Sequence, residues 1–397
     1  MPTSVGQQLL TGGFRMIPAR TDVLVVGAGP VGLATAATLA GHKADVTIID
    51  AQPEATNTSR AAVVHAHTLE VLEAIGAAAP LAAAGIHAPR FTIRDRDHTL
   101  VPVRFDDLPT RYPYALMVPQ STTEAVLLQQ LEARGGRVLR PHSVIGLKAD
   151  STGAIATLDS GESIHARYVV AADGMHSTIR RLAGIEFGRD KHAGESFTLA
   201  DVRVEGDLPR DEVILYFSHA GMLVWAPLPD GTVRIVAAVK EAPEHPTVAF
   251  VQSLLDTRGP RRGQARVTEV TWGSRFRIHH RVADQFRAGP VLLAGDAGHV
   301  HSPAGGQGMN LGLKDAAALG EALAAVLAGA GEERLDAYAA ARRPVAVDVV
   351  RFASLLTRLA TVPGLLRPVR NLVLGTLSQV PAFRRRLAWQ LSGLIYR

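Results

Sequence analysis

Three glycines near the start of the chain have the spacing of a phosphate-binding turn. Gly27, Gly29 and Gly32 form the pattern G-x-G-x-x-G, with Pro30 between the second and third glycines. The first glycine permits a tight turn, the second lets the backbone approach a pyrophosphate, and the third lets a helix pack closely on a strand. Phosphates bound there lie at a helix N-terminus, where the dipole supplies roughly half a positive charge.

The elements around this turn support a dinucleotide site. Residues 21–52 read as strand, turn, helix and strand, because two β-branched runs flank an Ala/Leu-rich segment. Asp50 ends the second strand, 18 residues after Gly32, where a carboxylate can accept a hydrogen bond from a ribose 2′-hydroxyl. The same carboxylate argues against a 2′-phosphate. NAD and FAD share this motif, so it leaves the choice between them open.

A second cluster, at residues 292–316, favours FAD. Gly295 and Asp296 follow an apolar run, and Asp296 can hydrogen-bond a polyol hydroxyl. Gly305, Gly306 and Gly308 let a backbone loop pass close over a flat ring. The helix predicted from about Met309 and Asn310 directs its N–H groups at that ring, and its dipole stabilises an anionic reduced flavin. A ribityl chain and an isoalloxazine ring suit this arrangement.

The amino-acid composition limits the kind of protein and the cofactors that are possible. A hydrophobic fraction of 47% with 20% charged residues is typical of a globular protein. The chain has no cysteine, so it offers no disulfide, thiolate metal site or redox-active dithiol, and any redox chemistry needs an organic cofactor. His299 and His301 have no third ligand of suitable type nearby, so we expect no metal. The N-terminus has no signal-peptide pattern, and we expect a cytoplasmic protein.

Between about 189 and 275 the pattern changes to antiparallel strands. Residues 211–239 hold three strands joined by His-Ala-Gly and Pro-Asp-Gly turns, a meander. Ile214, Tyr216 and Ser218 alternate onto one face, and Leu215 and Phe217 onto the other. The candidate substrate-pocket residues in this region are Tyr216, His219 and Trp225, although ordinary sheet packing or a turn position explains such residues more often.

Three ordered motifs resemble the class A flavoprotein monooxygenases, which have the p-hydroxybenzoate hydroxylase fold. They are GAGPVG (27–32), ADGMHSTIR (172–180) and GDAGHVHSPAGGQGMNLGLKDA (295–316). The resemblance implies that Asp173 and Gly174 serve FAD and the nicotinamide donor, that Asp296 holds the ribityl chain, and that Pro303 lies beside the flavin ring. It also implies that Arg60 and Gln120 line the FAD.

The resemblance implies a reaction as well as a fold. In this family NADPH or NADH reduces non-covalently bound FAD, O2 gives a C4a-hydroperoxide, and one oxygen atom is transferred to an electron-rich carbon, usually of a phenol. The implied partners are therefore a small aromatic or polyketide-like substrate, O2 and NAD(P)H. The flavin supplies the electrophile, so the family needs no acid–base dyad, and the sequence gives no catalytic residue a firm assignment. The family needs a pocket without water, because water would let the hydroperoxide intermediate break down to hydrogen peroxide.

The expected fold is α/β, with a Rossmann-like FAD-binding domain, a mixed or antiparallel substrate sheet and C-terminal helices. We expect the FAD-binding domain at 20–86, 115–188 and 275–345, the substrate-binding domain at 87–114 and 189–274, and a helical segment at 346–397. Pro344, Pro363, Pro368 and Pro381 are expected to divide the last helices into short pieces. We also expect that the thioredoxin-like domain of larger polyketide-acting relatives is absent.

The net charge of +5 is concentrated in the last segment. Residues 349–397 contain eight Arg and no Asp, Glu or Lys, and subtracting these charges from +5 leaves −3 for the rest. A local charge of this kind gives weak support to nucleic-acid binding, and we expect none. Two interpretations of the segment stay open: a membrane-surface patch, or a helical cover packed on the flavin domain with its Arg side chains in solvent. The resemblance favours the cover.

Other functions remain as alternatives to aromatic hydroxylation. One is a membrane-associated isoprenoid or quinone hydroxylase or reductase of the same fold. Another is a flavin-dependent halogenase, although Trp225-Ala226-Pro227 does not supply that group's Trp-x-Trp-x-Ile-Pro motif. The last is a non-catalytic binding protein on a flavin scaffold. The substrate, the position hydroxylated and the oligomeric state are not indicated by the sequence.

Overall fold

The computed structural model describes residues 17–55, 61–188, 196–261 and 265–397. The strands in these ranges are, in chain order, β1 Arg20–Val26, β2 Val46–Ile49, β3 Val63–Val64, β4 Ile86–Ala88, β5 Arg90–Asp95, β6 His98–Arg104, β7 Ala115–Met117, β8 Val138–Leu139, β9 Val144–Asp150, β10 Gly153–Leu158, β11 Ser163–Ala171, β12 Ser196–Glu205, β13 Glu212–Ser218, β14 Gly221–Pro227, β15 Val233–Val239, β16 Arg266–Arg277, β17 Arg281–Val282, β18 Arg287–Ala288, β19 Val291–Leu293 and β20 His299–Val300.

The helices follow the same order. They are α1 Pro30–Gly41, α2 Ala66–Leu72, α3 Ala78–Ala84, α4 Gln120–Glu132, α5 Thr178–Leu182, α6 Val248–Arg258, α7 Gly308–Leu327, α8 Glu333–Ala360, α9 Arg367–Ser378 and α10 Pro381–Ser392. None of the helices in the described ranges combines the length and the apolar character needed to cross a membrane.

The first sheet is the nucleotide-binding sheet. Its order is β18-β19-β11-β1-β2-β8, and the β9–β10 hairpin joins it beside β11. β8, β2, β1, β11 and β19 run parallel, so their carboxyl ends meet at one edge, where the loops of all three motifs lie. β1 is nearly all buried, as expected for a strand covered by helices on both faces. The predicted βαβ unit at 21–52 is confirmed as β1, α1 and β2.

The second sheet has the order β16-β12-β15-β14-β13-β5-β6. β5 runs parallel to β13, and the other pairs are antiparallel, so the sheet is mixed. The predicted meander is confirmed as β13, β14 and β15, with the two turns in the expected places. One face of this sheet packs on α6, and the other carries an apolar cluster that reaches α9 and α10. The expected α/β fold with a mixed second sheet and C-terminal helices is confirmed.

The prediction that Pro344 ends a helix is wrong. α8 continues through Pro344 and extends from Glu333 to Ala360, across the expected boundary at 345/346. A proline inside a helix frees the carbonyl four residues earlier, here that of Ala340. Both Pro344 and Ala340 are exposed, so water can satisfy that carbonyl and the helix need not stop. The domain boundaries themselves remain a prediction.

Candidate active site

The glycine turn between β1 and α1 has the geometry that its sequence predicts. Gly27 has φ +101°, and a Cβ there would lie 2.3 Å from the Ala172 carbonyl oxygen. A Cβ on Gly32 would lie 1.8 Å from the Gly27 carbonyl oxygen, so both positions need glycine for packing within the protein. Gly29 instead faces open space, with no atom within 4 Å of a built Cβ, and lines a large cavity. Pro30 opens α1 beside it, so the start of α1 faces the cavity.

Asp50 supports this turn from the end of β2. Its Oδ2 accepts a hydrogen bond from the Ala28 N–H at 2.6 Å, and its Oδ1 lies 2.9 Å from Arg140 Nη1. A carboxylate has about four acceptor positions, so Asp50 keeps capacity for a ribose hydroxyl. The structure therefore gives Asp50 a role in holding the turn, and its predicted ribose contact stays a prediction.

The second motif places a buried acceptor at the cavity. Asp173 Oδ2 accepts from the Thr178 N–H at 2.8 Å and the Ile179 N–H at 3.1 Å, at the start of α5. Its Oδ1 is buried and has no hydrogen-bond partner among the described residues. Burial raises the pKa of Asp173 above its ordinary value. Asp173 and Gly174 both line the cavity, so the unpaired oxygen is available to a hydroxyl of a bound cofactor.

Arg180 connects the second motif to the third. Its side chain is buried against the Phe187 ring, with Cζ 3.7 Å from the ring centroid. Nη1 donates to the Ala297 carbonyl oxygen at 2.8 Å, and Nη2 donates to the Met175 carbonyl oxygen at 3.0 Å. Arg180 thus fixes the two cofactor-side loops relative to each other.

The third motif surrounds the same cavity. Gly295, with φ +62°, packs against Val31, and Asp296 follows it in an exposed position on the cavity wall. The cavity-lining residues of the next segment are Pro303, Gly305, Gly306, Gly308 and Met309. Gly305 and Gly306 have φ +81° and +63°, and a Cβ on Gly306 would lie 2.2 Å from Val63 Cγ1. Protein packing therefore already requires a glycine at 306.

Asn310 acts within the protein and does not line the cavity. It is 1% exposed, and its Oδ1 accepts from the His65 N–H at 2.7 Å. Its Nδ2 donates to the carbonyl oxygens of Val63 and Gly306, at 2.9 Å and 2.8 Å. Asn310 thus holds the start of α7 against β3, which fixes the loop that ends at Gly306.

The two histidines of the third motif point in different directions. His299 is fully buried, and its Nε2 lies 2.6 Å from Asp315 Oδ2. Burial opposes ionisation of Asp315, but Arg342 and His299 lower the pKa of its carboxyl below the ordinary value. His301 lines the cavity instead. In the described part of the chain, no group of three His, Cys, Asp or Glu residues is placed to hold a metal ion.

One cavity of about 950 Å³ joins the cofactor-side loops to the second sheet. The sheet and the residue that follows β16 contribute apolar side chains at alternate positions: Phe91, Val213, Leu215, Val224, Ala226, Val236, Phe276 and Ile278. Buried Arg234 also faces the cavity; its Nε and Nη2 each lie 2.7 Å from an Asp201 oxygen, and its Nη1 donates to the Ala61 carbonyl oxygen at 2.9 Å. Arg234 therefore ties the sheet to the segment that follows β2.

Eleven of the predicted cofactor residues line this cavity. They are Gly29, Pro30, Gln120, Asp173, Gly174, Asp296, Pro303, Gly305, Gly306, Gly308 and Met309. Gly27, Gly32, Asp50, Gly295 and Asn310 lie behind them and shape the loops, as described above. Arg60 lies outside the described residues. The open space at Gly29 and the unpaired Asp173 oxygen fit a cofactor with a pyrophosphate and a polyol.

The three predicted pocket residues of the second sheet do not line the cavity. Tyr216 and Trp225 are each 1% exposed and pack against α6 on the opposite face, where Trp225 Nε1 donates to the Pro209 carbonyl oxygen at 3.1 Å. His219 is exposed in the β13–β14 turn, and its carbonyl oxygen accepts from Arg367. Their positions correct the proposed pocket role, because the large aromatics belong to the packed face.

Sequence reasoning missed other residues that line the cavity. The sequence pattern around His301 indicates only a possible metal ligand, and no pattern marks His65 or Arg234 as cavity residues. The alternation of Leu215 against Tyr216 did define two faces, and it could have placed Val213 and Leu215 together. Which face meets the cofactor depends on where α6 packs, and that contact joins distant parts of the chain.

A nucleotide-binding sheet and a second, mixed sheet share one cavity, an arrangement that fits a flavin-dependent enzyme. The FAD binding domain family matches residues 20–353 of the chain. A curated protein of Streptomyces rimosus subsp. rimosus, described as 12-dehydrotetracycline 5-monooxygenase/anhydrotetracycline 6-monooxygenase, is 35% identical over 397 residues, which cover 95% of this chain and 77% of that protein.

Two further similarities support the family. The 6-methylpretetramide 4-monooxygenase of Streptomyces rimosus is 37% identical over 383 residues, which cover 92% of this chain and 67% of that protein. The solved structure of OxyS anhydrotetracycline hydroxylase from Streptomyces rimosus superposes with a TM-score of 0.79 at 34% identity, covering 94% of this chain and 76% of that one. The chain belongs to the FAD binding domain family, and it is an FAD-dependent monooxygenase with NAD(P)H as co-substrate.

Proposed function

We propose that this monooxygenase hydroxylates an aromatic or polyketide-like small molecule that binds against the cavity face of the second sheet. The observation that carries the proposal is the cavity of about 950 Å³, which joins the cofactor-side loops to a wall of apolar side chains. A flat, largely apolar ring system is complementary to such a wall. The relatives named above, whose printed names refer to tetracyclines and a pretetramide, support a polycyclic substrate.

The cofactor side of the cavity has residues to hold each part of FAD. The open backbone at Gly29 and the start of α1 suit the pyrophosphate. Asp173 and Asp296 suit hydroxyls, and the segment from Pro303 to Met309 suits the ring. When bound, FAD supplies the redox chemistry that joins one oxygen atom of O2 to a substrate carbon, with electrons from NAD(P)H. Gln120 and Gly174 also line the cofactor side of the cavity.

The apolar wall has a chemical role beyond binding. Val213, Leu215, Val224, Ala226 and Val236 present no hydrogen-bonding side-chain groups to the cavity. Together with a bound ring system they would exclude water from the reacting centre, which prevents side reactions with water. Small side chains also leave room for a polycyclic ligand.

His301 is the candidate acceptor for a substrate hydroxyl. Its Nδ1 lies 2.7 Å from the Ser302 carbonyl oxygen, which can only accept, so Nδ1 carries the proton and Nε2 has a free lone pair. Nε2 is buried and has no hydrogen-bond partner among the described residues. Burial lowers the pKa of His301 to about 4, so the ring is neutral at pH 7. A neutral imidazole can accept the proton of a phenol as oxygen transfer proceeds.

Anaerobic flavin reduction tests the proposal. The FAD-loaded protein is mixed with NADPH or NADH, with and without a panel of simple phenols and polycyclic aromatics. We expect at least one polycyclic aromatic to accelerate reduction and to gain one oxygen atom when O2 is admitted. If neither nicotinamide reduces the flavin under any of these conditions, the monooxygenase mechanism is wrong. If reduction proceeds and no aromatic compound gains oxygen, the proposed substrate class is wrong.

The role of His301 has a separate test. In His301→Gln we expect kcat to fall about 100-fold, with little change in the rate of flavin reduction, because the substitution affects the hydroxyl proton and not the nicotinamide. The pH profile of kcat should lose the dependence on a group with a low pKa. An unchanged kcat with an unchanged profile would remove His301 from the reaction.

A further inference from the structure

Exposed apolar side chains are concentrated at the end of the chain. Of the 13 large apolar residues that are exposed in the described ranges, nine lie between residues 355 and 395. Seven of these form a continuous stretch over α9 and its two ends, which we call the C-terminal apolar face: Leu365, Leu366, Val369, Leu372, Val373, Leu377 and Val380. Leu365 is 95% exposed and Leu372 is 70% exposed, so these side chains have little contact with the rest of the protein.

α9 has the reverse of the usual surface amphipathicity. Its buried residues are Arg370, Leu374 and Ser378, and Arg370 is 5% exposed. Arg370 Nη2 donates to the Phe217 carbonyl oxygen at 2.8 Å, and its Nη1 donates to the Leu359 carbonyl oxygen at 3.1 Å. A surface helix normally buries its apolar stripe and exposes its charges. Here Arg370 faces inward while Leu372 and Leu377 face outward, so the outward face is suited to an apolar partner.

The cover interpretation of this segment is correct in part. α9 and α10 pack on β6 of the second sheet, and Gln307 Nε2 donates to the Leu391 carbonyl oxygen at 3.0 Å near the flavin loop. The expectation that the Arg side chains lie in solvent fails for Arg370, whose guanidinium satisfies carbonyl groups at the ends of other elements. The helices therefore cover the protein with one face and leave the other without a partner among the described residues.

The positive charge of the C-terminal segment favours some partners for the C-terminal apolar face over others. Residues 349–397 contain eight Arg and no Asp, Glu or Lys. Arg358, Arg385 and Arg386 are exposed close to the apolar stretch in the chain. A second copy docked face to face would bring these like charges together, which opposes the contact. A surface that is apolar beneath and negatively charged at its boundary satisfies both features.

We propose that the C-terminal apolar face docks on a lipid bilayer that contains anionic lipids. The 12 residues of α9 rise about 18 Å as a helix, against about 30 Å for a hydrocarbon core, so α9 lies along the interface. Leucine and valine side chains enter the boundary between headgroups and acyl chains, and arginines contact the lipid phosphates. Leu374, on the buried side of α9, belongs to the same apolar cluster as Leu215 of the cavity wall, so docking holds the substrate sheet close to the membrane.

Co-sedimentation of the full FAD-loaded chain with vesicles tests this proposal without a readout of turnover. We expect it to sediment with vesicles of phosphatidylcholine mixed with phosphatidylglycerol, and less with phosphatidylcholine alone. The paired change Val369→Gln with Leu372→Gln should weaken binding at least tenfold, because two apolar side chains that would enter the lipid are lost. The matched control is Ile145→Gln with Ile155→Gln, two exposed apolar residues of the β9–β10 hairpin, and it should bind as the wild type does.

A second variant tests how much the arginines contribute to vesicle binding. Arg385→Gln with Arg386→Gln should weaken binding to the mixed vesicles about fivefold for each arginine and leave binding to phosphatidylcholine nearly unchanged. Flavin absorbance shows that each variant is folded.

Three outcomes would overturn the proposal. The wild type stays in the supernatant with both vesicle types, or the hairpin control loses as much binding as the α9 pair, or ultracentrifugation shows a dimer that only the α9 pair disrupts, without vesicle binding. The last outcome would assign the face to a second copy of the chain. Each is independent of whether an aromatic substrate is hydroxylated.

Discussion

The two faces of the second sheet are built from the same strands and differ in what they carry. Toward α6 the strands present large, tightly packed side chains, among them Tyr216, Trp225 and Ile235. Toward the cavity the neighbouring positions are Val224 and Val236, which are smaller. The packed face supplies stability, and the cavity face supplies room for a ligand. Tyr216 and Trp225, whose side chains can donate hydrogen bonds, therefore lie on the face away from the cavity.

This difference explains why substrate-pocket residues cannot be identified here from their side-chain type alone. A Tyr and a Trp in a β-meander attract a functional interpretation because they can donate hydrogen bonds and stack on aromatic ligands. In this protein the same rings fill the space between the sheet and α6. The other face has space beside side chains such as Val224 and Val236, and small apolar side chains of this kind carry little functional signal in a sequence.

The largest expected effect is the loss of the packed face. Trp225→Ala should lower the free energy of unfolding by about 3–5 kcal/mol, because Trp225 is 1% exposed and its removal leaves a cavity. Chemical denaturation of the FAD-loaded protein measures this. The purified variant should keep the wild-type preference among aromatic ligands. A change in that preference, with stability intact, would show that Trp225 belongs to the binding surface.

The second effect concerns acid stability on the cavity side. Burial lowers the pKa of both His65 and His301 to about 4, from about 6.5 in an unfolded chain. Between those values the unfolded chain binds more protons, so stability falls as the pH falls, by up to about 3 kcal/mol for each histidine. Above pH 6.5 neither histidine makes the free energy of unfolding depend on pH. Unfolding of wild type and His301→Gln from pH 7 to pH 4 should show one proton fewer taken up by the variant; equal slopes would contradict the burial of His301.

The third effect is a block of the cavity face. Val224→Trp places a large ring where the structure has space, and we expect aromatic ligands to bind at least about tenfold more weakly, which is about 1.4 kcal/mol. Quenching of flavin fluorescence during a ligand titration measures the affinity. The control is Val248→Trp, at an exposed position at the start of α6, which should leave affinity unchanged. Tight binding to Val224→Trp would place the ligand elsewhere.

The smallest effect is expected for a residue that looks catalytic. Burial raises the pKa of Tyr216 to about 12, so its phenol is neutral at pH 7, and its ring packs against α6. Tyr216→Phe removes only the hydroxyl, and kcat should change less than about twofold. Steady-state turnover with the best aromatic substrate is sufficient to measure it. A fall of 100-fold would return Tyr216 to the reaction.

The sequence predicts the cofactor side in detail because backbone geometry requires particular residues there. Gly27 needs a positive φ, Gly32 leaves no space for a Cβ, and Asp173 accepts hydrogen bonds from the first N–H groups of α5. The residue types of these motifs therefore follow from local geometry. The βαβ pattern at 21–52 also predicts the parallel pairing of β1 with β2. The predictions for Gly29, Pro303 and Met309 agree with their positions on the cavity wall.

The parts that could not be predicted depend on contacts between distant segments. Pairing of β13 with β5 decides which residues neighbour the meander, and the position of α6 decides which face is free. The continuation of α8 through Pro344 depends on solvent at one carbonyl, and the inward position of Arg370 depends on acceptors at Phe217 and Leu359. No local pattern contains this information.

Substrate binding at the cavity face is tested by comparing flavin reduction in two variants whose changes lie on adjacent strands but opposite faces. Rapid mixing with NADPH or NADH under anaerobic conditions gives the rate for Val224→Trp and for Tyr216→Phe, with and without the most effective aromatic compound. We expect the compound to accelerate reduction in Tyr216→Phe as in the wild type and to have no effect in Val224→Trp. Acceleration that survives in Val224→Trp and disappears in Tyr216→Phe would contradict substrate binding at the cavity face.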